Sequence, residues 1–97
     1  MTYAFTQDVP IDAAFYQRIT DGLGDAPQKG LIAHIAAELP GGGLRYFDVW
    51  ESEQDFDRFA DERLHPVVHP LLAEIFGSDL PSEPERQPVR VIHAWTP

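Results

Sequence analysis

The sequence predicts one small α+β domain, its elements ordered β-α-β-β-α-β around a four-stranded antiparallel sheet. Three features predict it. Residues 11–23 and 52–76 space their apolar side chains as helices do. Residues 3–6, 31–39, 44–50 and 89–95 are rich in aromatic and aliphatic side chains in strand-length runs. Proline and glycine punctuate the junctions between them.

Tyr3 to Thr6 carries aromatics at alternate positions and reads as a short strand. Asp8-Val9-Pro10 breaks it, and Pro10 suits the start of a helix, whose first turn does not use its N–H. From Ile11 to Leu23, Ile11, Ala14, Phe15 and Ile19 recur at helical spacing, and Tyr16 and Leu23 widen the stripe. Gly22 and Gly24 supply the stop. Leu31 to Ala37 is apolar but for His34, which fits a strand buried on both faces. A buried helix fits the same run, but Pro27 and Gly30 before it and Pro40-Gly41-Gly42-Gly43 after it leave little more than a strand's length. The glycine run signals a hairpin, and Leu44 to Trp50 follows as the partner strand.

Ser52 opens the second helix, with Asp55 three residues on in a capping box built on the shorter acid. Glu53 and Asp55 also suit the positive end of the helix dipole. Phe56, Phe59, Ala60, Arg63 and Leu64 form the inner stripe, and Asp55, Asp57, Arg58, Asp61 and Glu62 the wet side. Pro66 is expected to end or kink this helix. Val67, Val68, Leu71, Leu72, Ile75 and Phe76 then form a second short helix up to Gly77. Ser78 to Pro88 reads as an exposed loop with three prolines, and Val89 to Trp95 as the last strand.

This order is the ferredoxin-like pattern. An antiparallel sheet with both helices on one face should turn alternating polar residues to water on the other. These strands are too apolar for that, so a second copy of the chain is the expected cover. Length points the same way. A 97-residue chain buries only about 60–65% of its unfolded surface, and without cysteine it has no disulfide staple. Small unstapled domains gain stability by oligomerising.

Sixteen acidic residues against seven Lys and Arg give a net charge of −9, which excludes a nucleic-acid partner and an anionic membrane surface. The N-terminus has no basic region and no long apolar run, so no signal peptide is expected, and no apolar stretch is long enough to span a bilayer. A cytoplasmic location is the expectation.

The segment from Gly43 to Phe59, with Trp50-Glu51-Ser52 ending a strand and Phe56 and Phe59 on the helix behind it, resembles the antibiotic biosynthesis monooxygenase-like family of dimeric α/β-barrels. The element order extends the resemblance over nearly the whole chain. It implies a homodimer whose two sheets pack into a barrel, and a cavity in each protomer between sheet and helices. The family includes cofactor-free monooxygenases and haem-degrading enzymes. In the haem-degrading branch an Asn on the first strand, a Trp on the helix and a His beyond it carry the chemistry. Here the first strand has no Asn, Phe59 stands at the Trp position, and His69 falls where a haem ligand would lie.

Candidate residues follow from chemistry. His34 and His93 interrupt apolar strands, and a buried imidazole needs a hydrogen-bond partner. Either they are core histidines bonded to a backbone carbonyl or to Tyr46, or they line a pocket with Trp50 and Tyr46 as general base or orienting donor. Asp48 sits mid-strand among aromatics, with Arg45, Arg90 and His34 as candidate partners; it forms an ordinary ion pair or, beside His34, a base-and-orienter pair. His65 and His69 are four apart, but there is no His-Glu-x-x-His motif and no cysteine, so they read as exposed or capping histidines rather than a metal site. Trp50, Trp95, Tyr3, Tyr46, Phe56 and Phe59 serve core and interface or stack on a planar substrate. No helix follows Gly41-Gly42-Gly43, so it is not a phosphate loop.

The functional expectation is a cofactor-free monooxygenase acting on a planar aromatic or polyketide-like molecule, with His34, His93 and Asp48 catalytic and Trp50, Tyr46, Phe56, Phe59 and His69 binding the substrate. The alternatives are a non-catalytic dimer that binds a hydrophobic or aromatic ligand, and a haem binder through His69.

Overall fold

A computed structural model describes residues 2–80 and 82–93. Its elements are β1 (Tyr3–Val9), α1 (Ala13–Leu23), β2 (Leu31–Glu38), β3 (Leu44–Trp50), α2 (Glu53–Phe59), a π-helical turn (Ala60–Leu64), α3 (His65–Phe76) and β4 (Arg86–Val89). The four strands form one antiparallel sheet in the order β2-β3-β1-β4, an α+β arrangement compatible with the ferredoxin-like pattern. Among the described residues, no helix is long and apolar enough to cross a membrane.

Register sorts the side chains by face, because directly paired residues point the same way. Tyr3, Phe5 and Gln7 of β1 pair with Trp50, Asp48 and Tyr46 of β3, and these face the helices. Ala4 and Thr6 pair with Val49 and Phe47 on the outer face. The core gathers on the helix side, where Phe5 and Trp50, each 1% exposed, meet Phe56 and Ala60. Phe56 contacts Phe5 and Trp50 edge-on, at 5.0 and 5.6 Å between ring centroids.

Helix starts follow capping chemistry. α1 begins after Asp12, whose carboxylate accepts from the Phe15 N–H at 2.8 Å. Pro10 therefore lies ahead of the helix rather than in its first turn. Gly24, at φ 76°, closes it. Gly22 stays inside α1, where a β-carbon would lie 2.6 Å from Val67, so it serves the close approach of α1 to α3. Ser52 caps α2 through the Asp55 N–H, and its hydroxyl also donates to the Asp55 carboxylate. Asp55 is not on the wet side: its side chain is 14% exposed and lies against Gly30.

Pro66 does not break the second helix. The chain stays helical from Glu53 to Phe76 through the π turn, in which the His65 N–H reaches back five residues to the Ala60 carbonyl. In an α-helix the Pro66 ring would press on the carbonyl four residues earlier, and the wider turn accommodates it.

Two strand expectations are corrected. β2 is an edge strand and, within one chain, is not buried on both faces: Ile32 is 52% and Ile35 59% exposed. Ile32 sits at a bulge between Leu31 and Ala33. The last strand among the described residues runs over Arg86–Val89, residues 90–93 of the expected 89–95 strand lie outside it, and residues 94–95 fall outside the described residues. Side-chain anchors select the earlier register. The Arg86 guanidinium lies 4.7 Å above the Phe56 ring, and the Gln7 amide donates to the Pro84 carbonyl at 2.8 Å. Pro88 is tolerated because β4 is an edge. Trp95 lies outside the described residues.

Candidate functional site

A cavity of about 310 Å³ opens between the sheet and the helices, at the small end of the range for ligand pockets. Its floor is Phe5, Tyr46, Asp48 and Trp50, and its walls include Tyr16 and Ile19 of α1 and Phe56 and Phe59 of α2. The segment Gly24–Gln28 and Glu83 lie at its edges.

A chain of hydrogen bonds runs along the floor. His34 and Asp48 are directly opposed on β2 and β3, and His34 Nδ1 lies 2.5 Å from Asp48 Oδ1. The Trp50 indole N–H donates to Asp48 Oδ2 at 3.1 Å. The Tyr16 hydroxyl lies 2.7 Å from His34 Nε2. Asp48 is only 5% exposed, so its two oxygens need the two donors that they have. Those bonds assign the tautomer: a carboxylate accepts from Nδ1–H, which leaves Nε2 as an acceptor for the Tyr16 O–H.

The tyrosines have raised pKa values. Burial raises that of Tyr16, with the Asp48 charge adding to it. Tyr46 is pushed well above the ordinary tyrosine range, first by burial, then by Tyr16 and Asp48. Both therefore stay protonated and able to donate at neutral pH. Tyr46 stands beside the imidazole at 5.3 Å between centroids, and Tyr16 stacks on it at 6.1 Å.

The structure brings His34, Asp48, Trp50, Tyr46, Phe56 and Phe59 together at one cavity. It does not bring His69 or His93 there. His69 is exposed on α3, stacked on His65 at 4.9 Å. His93 is exposed beyond β4 and is not among the described residues lining the cavity. Two lining residues had no signal of chemistry in the sequence. Tyr16 counted as part of a helical stripe, and Gln7 lay beyond the expected end of the first strand.

Chemically, the row Asp48, His34, Tyr16 is a proton acceptor with an orienting carboxylate and a phenolic donor, set in apolar walls. A scan against models of protein families finds no match for this chain, and a comparison with curated proteins finds no relative.

Proposed function

We propose that this chain is a homodimeric, cofactor-independent monooxygenase of the antibiotic biosynthesis monooxygenase-like type, acting on a planar aromatic or polyketide-like molecule. The observation that carries the proposal is the His34–Asp48 pair at the cavity floor, with Nε2 as acceptor and the Tyr16 hydroxyl at hand. His34 Nε2 removes a proton from an activated CH2 next to a carbonyl, and Asp48 holds the imidazole in orientation and stabilises the imidazolium. Tyr16 turns its hydroxyl to the enolate oxygen that forms. The electron-rich carbanion reduces dioxygen itself, so that CH2 and O2 become C=O and water, and the protein supplies only the base and the alignment. Phe56, Phe59 and Trp50 provide flat apolar contact for the rings.

The dimer rests on the outer sheet face. Ile35, Phe47 and Val89 are 59%, 37% and 38% exposed there, a patch of the kind that marks an interface. A second copy placed across a two-fold axis meets it with the same patch.

The test uses a hydroxylated polycyclic ketone with an activated CH2. Without oxygen, the protein is expected to speed exchange of the CH2 hydrogens for deuterium. With oxygen, it is expected to consume one O2 per ketone formed. His34→Ala should lose about 10²–10⁴-fold of the rate. Full exchange and turnover in His34→Ala would end the assignment of the base.

A further inference from the structure

The cavity has a charge character of its own. Its ionisable lining residues are three carboxylates, Asp25, Asp48 and Glu83, two phenols, Tyr16 and Tyr46, and the His34 imidazole, with no Lys or Arg among the described residues that line it. Asp25 and Glu83 are exposed, so they sit at the rim, while Asp48 is buried in the floor. Nearby arginines are turned elsewhere. Arg63 donates to the Leu23 carbonyl at 3.0 Å, and Arg86 lies over the Phe5 and Phe56 rings without joining the lining. Six aromatic rings line the same space, those of Phe5, Tyr16, Tyr46, Trp50, Phe56 and Phe59. Ring faces carry negative potential and attract cations, most strongly where water is excluded. An anionic substituent would meet this surface with no Lys or Arg among the described lining residues to pair with, and with the one imidazole, His34, already held by the Asp48 carboxylate, inside a chain of net charge −9.

We infer that the cavity takes an aromatic ligand bearing an ammonium group and discriminates against carboxylated or phosphorylated ones. The aromatic box holds the ring system, and the rim carboxylates meet the cation. This rests on the ligand-pocket part of the function proposed above and names the charge class of its ligand. It is also compatible with the proton transfer: a proton moved from substrate to His34 leaves the net charge of the filled site unchanged.

Calorimetric titration at about pH 8, above the ordinary histidine range, tests it with three probes on one ring system. These are 2-naphthol, 2-naphthoate and (naphthylmethyl)trimethylammonium. The cation is expected to bind at least about tenfold more tightly than the anion, and added salt should shrink the gap. In the double variant Asp25→Asn, Glu83→Gln the ratio should fall by about threefold or more, since both sites are exposed and their loss removes charge without disturbing the core. Phe59→Leu should weaken the cation more than the naphthol, by removing one ring face. Equal binding of cation and anion overturns the inference and leaves the catalytic proposal standing. An unchanged ratio in the rim variant does the same. Charge-ordered binding without His34-dependent exchange defeats the catalytic proposal alone, and failure of all three probes to bind removes both.

Discussion

His34 and Asp48 face each other across the β2–β3 pair, one ring nitrogen 2.5 Å from one carboxylate oxygen. The second carboxylate oxygen is held by Trp50, so Asp48 is fixed from both sides before any ligand arrives.

Replacing Asp48 by Asn should separate orientation from packing. The amide oxygen can still accept from Trp50, but the amide N–H2 now faces His34 Nδ1 and reverses the tautomer, placing the proton on Nε2. Proton abstraction should fall by about 10²-fold or more while the fold is retained. Asp48→Ala removes the acceptor as well and leaves the buried indole N–H unsatisfied, at a cost of about 1–3 kcal/mol. Exchange rates and urea midpoints of the two variants check this; an Asn variant as active as the parent refutes the orienting role.

Element order was legible in the sequence because it rests on local signals, whereas the sequence only narrowed the partner of Asp48 to Arg45, Arg90 or His34, and the register of β2 on β3 selects His34. A run bracketed by Pro and Gly sets the β2–β3 hairpin, and two polar residues inside apolar strands have few partners. Tyr16 was not legible as a site residue. One helical stripe contains both core and pocket positions, and only the tertiary placement of α1 over His34 tells them apart. The strand at 86–89 was hidden for a similar reason. The alternation of 89–95 is the stronger local pattern, yet Arg86 and Gln7 anchor the earlier residues through contacts far apart in sequence. At Pro66 the local rule for an α-helix held no provision for a π turn.

Gly22 and Val67 form a coupled pair between α1 and α3. Alanine is the better helix residue by up to about 1 kcal/mol, so Gly22→Ala would stabilise an isolated α1. Here the added β-carbon lies 2.6 Å from Val67 Cγ1, and the stiff branched side chain has little room to yield. Gly22→Ala should destabilise by about 1–3 kcal/mol. Val67→Ala should restore most of that loss in the double variant. A urea-denaturation cycle reads the coupling, and additive single effects would show that the contact carries no strain.

The outer sheet face gives a test of assembly independent of catalysis. A charge at Phe47 or Ile35 would be tolerated in a lone subunit, where 37% and 59% of these residues is exposed. In a dimer joined through that face the same charge is desolvated and, by symmetry, repeated on the facing copy. Phe47→Asp combined with Ile35→Asp is therefore expected to halve the mass measured by sedimentation, with helical content kept. A parent protein that is already a monomer at micromolar concentration contradicts the barrel.

The tyrosines predict a stability limit at alkaline pH. Burial raises the pKa of Tyr16 and Tyr46 above the ordinary 10.0, with the Asp48 charge acting in the same direction. Below about pH 10 both phenols are neutral in the folded and the unfolded chain, and the contribution of the protonated network is fully present. Above it the unfolded chain releases these protons while the folded one retains them. The unfolded state then binds fewer protons, and stability falls as pH rises toward the folded-state values. Urea midpoints at about pH 8 and about pH 11 should differ more for the parent than for Tyr46→Phe, which has no proton to lose there. Phenolate absorbance of the folded protein should lag behind that of the unfolded protein over the same range. Equal alkaline losses in parent and variant would mean that Tyr46 titrates as freely in the fold as in the open chain.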